Sequence, residues 1–326
     1  MDKSELDMRS PNLILSTGCE RIIVGEGEFC LDSDALSVIS SVFHTNLDGI
    51  QNIMVLKSGM TNRSFRFEVG GKRYIIRVPG RGTDRLIDRT NETEVYEKIK
   101  GLGLCDTPVY INPTNGCKIT RFLEHARTCK PDDPVDLDRC MEKLRYFHRL
   151  SLQVSHTFDI FERIVFYEKL WDDTPSEHED YQLTKENIFQ LKRYIDKQDK
   201  KWCLTHIDAV ADNFLFYPSG TGESLQLTDW EYAGMQDPDV DIAMFCIYSL
   251  YNKEQVDRLI DIYFQRDCNH QTRAKIYAYI ASCGLLWSNW CEFKKKYGIE
   301  FGEYSARQYQ FAKDYYFYTL EECRRV

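Results

Sequence analysis

Alternating apolar and charged positions stand out in residues 50–79 and predict three strands. The segments are IQNIMVLKS, NRSFRFEV and KRYIIRVP, and the links between them are SGMT and VGGK. Phe65 and Phe67 alternate with charged neighbours, which is typical of an antiparallel strand that buries one face. The two glycines of VGGK indicate a tight hairpin turn. We therefore expect an antiparallel sheet in this part of the chain.

Helical spacing of apolar residues replaces this alternation in most of the later sequence. A helix is expected from Arg89 to Lys100, where Gly101 ends it. Residues 117–127, CKITRFLEHAR, predict a strand that leads into a linker. Residues 183–195 and the stretch VDIAMFCIYSLYNKEQVDRLIDIYFQRD predict further helices. The helix within PDDPVDLDRCMEKLRYFHRLS has an apolar face made of Leu137, Met141, Leu144 and Phe147.

The length and composition are those of a globular protein with a full core. A chain of 326 residues with 43% hydrophobic residues can form two domains or one bilobal unit. Lys and Arg number 42 against 51 Asp and Glu, so the formal net charge is −9, and no block of like charges stands out. This balance argues against nucleic acid as the main partner.

The cysteines and the apolar segments indicate where in the cell the protein is located. Twelve cysteines are scattered without a C-x-x-C pair, and no Cys/His cluster has the spacing of a zinc site. The N-terminal MDKSELDMRSPN lacks the apolar region of a signal peptide, and no apolar run approaches the roughly 18 residues that span a membrane. We expect a cytoplasmic protein with no membrane partner and with reduced thiols that pack as small buried side chains.

The chemistry is concentrated in residues 204–244. His206, Asp208 and Asn213 lie in one short segment, and Asp229 and Glu231 follow after the turn PSGTG. The pieces LTHID and SLQLTDW are typical of strand ends, so a hairpin should bring the two acidic loops side by side. This set suits phosphoryl transfer: one carboxylate orients the attacking hydroxyl, while an amide oxygen and a second carboxylate hold Mg²⁺ against the phosphates. Capping of surface turns by Asp and Asn is the alternative explanation.

The pattern H-x-D-x-x-x-x-N followed by D-W-E resembles the aminoglycoside phosphotransferase and choline kinase superfamily. The longer string TDWEYAGMQDPDVDIA is similar, more narrowly, to bacterial-type choline kinases. The resemblance extends from about residue 50 to the end and implies an α+β, bilobal, protein-kinase-like fold. Residues 1–31 would be a leader of unknown role, 32–123 an N-lobe with an antiparallel sheet, and 124–326 a mainly helical C-lobe after a hinge near residue 123.

The resemblance also implies roles for the residues of the central segment. Asp208 would accept the proton of the acceptor hydroxyl, and Asn213 and Asp229 would bind Mg²⁺, with ATP as the phosphate donor. His206 and Asp241 would support the catalytic loop, although capping of a helix is a plain alternative role for Asp241. His148 is expected to be structural.

Nucleotide binding is expected at the links and ends of the predicted sheet. Gly59 in SGMTN allows backbone N–H groups to approach phosphate oxygens, although a plain hairpin turn explains the same sequence. Glu92, or alternatively Glu94, would position the cation at the end of the third strand, as a helix glutamate does in kinase-like folds. The implied phosphate-binding residues are Gly59, Thr61, Asn62 and Arg77.

Aromatic residues indicate which molecule accepts the phosphate. Trp287 and Trp290 share one face of a predicted helix, and aromatic faces attract quaternary ammonium groups. Packing in the core is the alternative explanation for two such tryptophans. The resemblance implies a cage for the trimethylammonium group of choline, completed by Tyr232 and Tyr304, with Glu231 as counter-charge. Other tyrosines could replace Tyr304 in this cage: Tyr309, Tyr315 and Tyr316.

Three functions are consistent with these residues. The resemblance favours an ATP-dependent choline kinase that produces phosphocholine. A kinase for ethanolamine, another small amino alcohol, an aminoglycoside or a sugar would keep the same loop and lack the cage. A catalytically inactive binding module would be expected to have lost Asp208, Asn213 or Asp229, and all three are present.

Overall fold

The computed structural model describes residues 33–56, 62–80 and 83–325, which form two compact units. Unit 1 holds the described residues up to Gly80 together with Val109–Ile111 and Gly116–Phe122, and unit 2 holds the other described residues. The predicted leader, residues 1–31, lies outside the described residues. The predicted boundaries at residues 32 and 123 stay predictions.

Unit 1 is built on a five-stranded antiparallel sheet with the strand order β1-β2-β3-β5-β4. Gly70 and Gly71 join β2 to β3 with φ angles of 58° and 70°, a conformation that a hairpin turn requires and that glycine adopts without strain. The three strands predicted from residues 50–79 are therefore present. The elements of unit 1 are α1 (Ser33–Phe43), β1 (Gln51–Val55), β2 (Asn62–Val69), β3 (Lys72–Pro79), β4 (Tyr110–Ile111) and β5 (Lys118–Arg121).

The core of unit 1 lies between α1 and one face of the sheet. Alternate residues of β2 point to the same face, so Phe65 and Phe67 are both fully buried while their neighbours are not. Ile39 of α1 and Ile76 of β3 belong to the same buried cluster. Burial of apolar surface on one helix face and one sheet face is what stabilises this layer.

Unit 2 is mainly helical. Asp88 caps the first helix by accepting hydrogen bonds from the N–H groups of Thr90 and Asn91. That helix groups with unit 2. The helices are α2 (Arg89–Ile99), α3 (Pro134–Arg149), α4 (Ile160–Lys169), α5 (Tyr181–Ile195), α6 (Asp239–Tyr248), α7 (Lys253–Tyr263), α8 (His270–Lys295) and α9 (Glu303–Cys323).

Two small antiparallel sheets complete unit 2. The turn at residues 220–221 joins β8 to β9, and β6 pairs with the other edge of β8. The sequence LTHID contributes β7, which pairs with β10 and not with the hairpin that follows it. The strands are β6 (Arg127–Thr128), β7 (Cys203–Thr205), β8 (Phe214–Ser219), β9 (Gly222–Leu227) and β10 (Gly234–Gln236).

The long helix α8 is the centre of unit 2. It is buried continuously from Ala274 to Lys294, which explains why its sequence lacks a polar face. It packs closely on α9 at Gly284, where an added Cβ would lie 2.7 Å from the carbonyl oxygen of Gln308 and 2.9 Å from the backbone nitrogen of Ala312. Within the described ranges, no helix is both long and apolar enough to cross a membrane.

Candidate active site

The segment between β7 and β8 carries His206, Asp208 and Asn213. Strand β7 ends at Thr205, and a short 3₁₀ helix, Ala211–Asn213, leads directly into β8. The β8–β9 hairpin then returns the chain, so that the N–H of Thr228 donates to the carbonyl oxygen of Asn213 at 2.9 Å. The hairpin thus brings Asp229 beside the loop that carries Asp208.

Asp241, in the first turn of α6, holds the backbone of this loop. Its carboxylate accepts hydrogen bonds from the N–H of His206 at 3.0 Å and the N–H of Ile207 at 2.7 Å. Ile207 has a φ of 69°, which is strained for a β-branched residue and persists only where other contacts fix it. His148 lies 2.9 Å from the same carboxylate and 2.7 Å from the Tyr263 hydroxyl, so it is part of this support.

His206 is fully buried and neutral. Burial lowers its pKa to about 4. Its Nε2–H donates to the carbonyl oxygen of Thr228 at 2.9 Å, and its ring lies 4.5 Å from the ring of Trp230. The side chain therefore joins the loop to the residue that precedes Asp229.

Asp208 faces Asn213 and two further carboxylates. The amide nitrogen of Asn213 donates to the carboxylate of Asp208 at 3.1 Å and to its backbone carbonyl at 2.9 Å. Burial, with the negative charges of Asp229 and Glu231, raises the pKa of Asp208 to about 8, against the opposing effect of the Asn213 hydrogen bond. A carboxylate with such a pKa can take up a proton near neutral pH.

The oxygen atoms at this site fit a divalent cation. The amide nitrogen of Asn213 donates to Asp208, so the amide oxygen Oδ1 of Asn213 is directed away from that carboxylate. Among the described residues, no group donates a hydrogen bond to this oxygen. Asp229 has a left-handed backbone, with φ 66°. One oxygen from each of Glu92, Asp229 and Glu231 lies within 4.8 Å of the others. Carboxylate and amide oxygens are the ligands that Mg²⁺ prefers.

Arg89 connects two of these carboxylates. No motif includes it, and only its position three residues before Glu92 relates it to the predicted site. Its Nη1 lies 3.0 Å from an oxygen of Glu92 and 3.0 Å from an oxygen of Glu231, and all three side chains are buried. The helix α2 is thereby tied to the acidic segment after β9. The expected pairing of Glu92 with Arg77 stays a prediction.

Glu94, the alternative to Glu92, lies in a different environment. Its carboxylate accepts hydrogen bonds from the N–H and hydroxyl of Ser155, at 2.8 and 2.6 Å, and lies 3.2 Å from the ring of His156. These bonds lower the pKa of Glu94. The geometry therefore favours Glu92 over Glu94 as the carboxylate near the acidic cluster.

The predicted phosphate-binding residues are only partly described. Gly59 and Thr61 lie outside the described residues. Asn62 is the first residue of β2 and is buried, and Arg77 of β3 donates a hydrogen bond from its Nη2 to the carbonyl oxygen of Gly116 at 3.3 Å. Their role in phosphate binding stays a prediction.

The predicted cage residues form a continuous aromatic group in unit 2. Tyr232 and Trp287 meet edge to face with ring centres 5.5 Å apart, and Trp287 and Trp290 meet at 5.4 Å with an angle of 74°. Phe301 connects Trp290 to Tyr304, at 5.4 and 6.5 Å. The Tyr232 hydroxyl and the Trp290 indole nitrogen are buried without a hydrogen-bond partner among the described residues. Burial raises the pKa of Tyr232 well above its usual value.

Tyr304 rather than the other tyrosines lies near the catalytic loop. Burial is the main cause of the raised pKa of Tyr304, followed by Cys291 and then by the charge of Asp208. Tyr304 contacts Tyr248 with ring centres 6.1 Å apart. The Tyr248 hydroxyl in turn donates to Asp212 at 2.7 Å, a contact that no motif indicated. The alternatives are engaged elsewhere: Tyr309 with Asp180 and Thr184, Tyr315 with Tyr277, and Tyr316 with Gln190.

Known proteins are similar to this chain in sequence and in fold. The choline/ethanolamine kinase family matches residues 53–282, more than half of the chain. The protein LicA of Haemophilus influenzae is 27% identical over 278 residues, which cover 81% of this chain and 78% of that protein. LicA of the strain KW20 has the same identity, with 99% of its length covered.

Solved structures agree with this assignment. Choline kinase LicA from Streptococcus pneumoniae has a TM-score of 0.75 at 27% identity, covering 88% of this chain and 100% of that chain, and LicA in complex with AMP matches equally well. A thermostable mutant of the aminoglycoside phosphotransferase APH(4)-Ia, at 15% identity and a TM-score of 0.61 over 86% of this chain and 98% of that chain, shares the fold. The predicted α+β, protein-kinase-like fold class is thus confirmed. The chain therefore belongs to the choline/ethanolamine kinase family and is a small-molecule kinase.

Proposed function

We propose that this protein transfers the γ-phosphate of Mg²⁺-ATP to the hydroxyl of choline and produces phosphocholine. The observation that carries the proposal is the aromatic group of Tyr232, Trp287, Trp290 and Tyr304. It begins directly after Glu231 and ends at Tyr304, whose ring contacts Tyr248 beside the loop that carries Asp208. Aromatic faces attract an ammonium that has no N–H donors, as in choline. The choline kinases among the relatives support the same acceptor.

Asp208 would act on the acceptor hydroxyl. A pKa of about 8 in the absence of metal suits a group that takes up a proton at neutral pH. Its hydrogen bond with Asn213 fixes the orientation of the carboxylate. Positioning of the hydroxyl, more than covalent chemistry, would supply most of the rate enhancement.

Asn213 and Asp229 would hold Mg²⁺ through Oδ1 and a carboxylate oxygen. When bound, the cation supplies positive charge that stabilises the transferring phosphoryl group. Asn62, Arg77 and the backbone near Gly59 and Thr61 would hold the phosphates. His206 and Asp241 keep the loop in position through the hydrogen bonds described above.

The direct test is release of ADP with Mg²⁺-ATP and choline, ethanolamine or an aminoglycoside as the acceptor. We expect turnover that strongly favours choline. Asp208→Asn should lower kcat by about 10²–10⁴-fold while the nucleotide still binds, because a general base is lost and the phosphate contacts are not. Near wild-type turnover by Asp208→Asn would rule out the proposed role of this residue.

Trp287→Ala tests the acceptor site. We expect KM for choline to rise much more than KM for ethanolamine, because only the quaternary ammonium depends chiefly on ring faces. Trp202→Ala is the matched control, since Trp202 is 45% exposed and lies outside the aromatic group. Equal changes in KM for choline and for ethanolamine would indicate that the tryptophans pack in the core and do not bind the quaternary ammonium.

A further inference from the structure

A side chain of α6 contacts a tryptophan of the aromatic group. The indole N–H of Trp287 donates to the sulfur of Met244, with 2.9 Å between Nε1 and Sδ. Met244 is 2% exposed and Trp287 is 6% exposed, so water hardly competes for this contact. A thioether is a weak acceptor, but a buried N–H that is left without a partner is unfavourable. Met244 therefore holds the Trp287 ring from a second helix, α6, which packs on α8.

This hydrogen bond selects one orientation of the indole ring. The terminal torsion of a tryptophan side chain is broad and roughly two-fold, and its two orientations direct the N–H to opposite sides. The observed orientation is the one that brings the N–H to Met244. In it, the ring meets Tyr232 at an angle of 89° and Trp290 at an angle of 74°. The direction of the ring face that would attract a quaternary ammonium thus depends on the Met244 sulfur.

The same helix holds the catalytic loop. Asp241, whose carboxylate accepts hydrogen bonds from the N–H groups of His206 and Ile207, lies three residues before Met244. Residues three apart are neighbours on a helix surface, so these two side chains share a face of α6. The helix is buried from Asp239 to Ile247, and a close-packed interior leaves it little freedom to shift.

Tyr248 extends this face of α6 by one more turn, since it follows Met244 by four residues. Its hydroxyl donates to Asp212 of the catalytic loop at 2.7 Å, and its ring centre lies 6.1 Å from that of Tyr304. The face therefore contacts both the loop that carries Asp208 and the aromatic group.

Phosphoryl transfer to an amino alcohol depends on the relative position of these two parts. The hydroxyl and the ammonium belong to one small molecule, so the group that orients the hydroxyl and the rings that hold the ammonium must lie at a fixed separation. Reacting atoms have to be held about 3–3.5 Å apart with their orbitals aligned, and displacements of about 1 Å that arise far from the chemistry slow a reaction strongly. A buried helix that contacts both parts fixes this separation.

We propose that Met244 is a positioning residue of the acceptor site, because its sulfur fixes the ring of Trp287 relative to the loop that Asp241 supports. The proposal rests on the function proposed above, since it takes the aromatic group as the site of the ammonium. Met244 acts through Trp287 and does not need to touch the acceptor. Filling of an irregular space in the core is the alternative role of a buried methionine, and in that role the sulfur is not needed as an acceptor.

The test replaces Met244 by Leu, which keeps the apolar volume and removes the acceptor, and by Gln, which has a similar length and offers an amide oxygen to the indole N–H. For Met244→Leu, we expect KM for choline to rise about three- to tenfold, the equivalent of one lost hydrogen bond, and KM for ethanolamine to change by less than about twofold. Met244→Gln should raise KM for choline less than Met244→Leu does. Filling of the core alone predicts the reverse order, because Gln buries a polar group and Leu does not.

Met141→Leu is the matched control, since Met141 is fully buried on another helix, α3, and undergoes the same substitution. It should leave KM for both acceptors as in the wild type. In parallel, tryptophan fluorescence measures the affinity of each variant for tetramethylammonium, which requires no turnover and should follow KM for choline.

Three results would overturn the inference: an unchanged KM for choline in Met244→Leu, an equal change in KM for choline and for ethanolamine, or a larger effect of Met244→Gln than of Met244→Leu. The same change in Met141→Leu would also overturn it. If the wild type phosphorylates neither acceptor, the proposed function fails, and the order of the variants in tetramethylammonium affinity still decides the role of Met244. A wild type that does not bind tetramethylammonium would overturn both proposals.

Discussion

Asp208 is a residue whose environment is unfavourable for its own charge. Its ordinary pKa is 3.8, and in the folded, metal-free protein burial and the charges of Asp229 and Glu231 raise it to about 8. The folded state therefore holds a proton that the unfolded chain releases, so stability decreases as the pH rises from about 4 to about 8. Function-bearing residues commonly cost stability in this way.

Asp208→Asn should therefore stabilise the metal-free protein at high pH. In EDTA, we expect the variant to have a higher Tm than the wild type at pH 8, and the difference to shrink as the pH falls towards 4, where both states hold the proton. Asp173→Asn, at an exposed position, should change Tm little at any pH. A difference in Tm that is the same at pH 4 and pH 8 would contradict the electrostatic origin.

The packing of α8 against α9 is the main relation between elements around the acceptor site. Gly284 lies one turn before Trp287 on α8, and a Cβ at this position would lie within 3 Å of two backbone atoms of α9. The W-x-x-W spacing predicted a shared helix face. It could not predict this contact, because the contact depends on Gln308 and Ala312, which are distant in sequence.

Gly284→Ala should separate the two helices. The added methyl group would meet backbone atoms of α9, which cannot rotate away, so we expect the free energy of unfolding to decrease by about 1–3 kcal/mol, measured by urea denaturation. KM for choline should rise as Trp287 shifts. Gly222→Ala is the control because its Cβ would meet nothing within 4 Å, and a comparable loss there would argue against a steric cause.

The whole molecule is held together without disulfides in its described part. None of the ten cysteines there is joined to another of them by a disulfide; seven are buried and three, Cys105, Cys268 and Cys323, are partly exposed. We expect a thiol reagent to modify the seven buried cysteines only after global unfolding, and a reducing agent to leave Tm unchanged. Mass spectrometry of the native protein over time measures this. Rapid modification of Cys246 or Cys283, which are fully buried in the C-terminal helices, would contradict the described packing.

Sequence and structure agree on features that are local in the chain. The alternation around Phe65 and the glycine turn after Val69 predicted the hairpin, because each depends on a few neighbouring residues. The loop from His206 to Asn213 was identified in the same way. Contacts between distant segments were not predicted, such as the pairing of β7 with β10 and the contact of Gly284 with Gln308, because no local pattern encodes which surfaces meet.

The bridge made by Arg89 has a consequence for how the family can vary. One guanidinium holds Glu92 of its own helix and Glu231, which is 142 residues away in sequence. Removal of Arg89 would take away a cation that two buried carboxylates share, whereas removal of one carboxylate would leave Arg89 bound to the other. The effects of these substitutions on the free energy of unfolding are therefore not additive. We therefore expect these positions to be inherited together, with a change at Arg89 accepted only in a background where one of its carboxylates has already been lost.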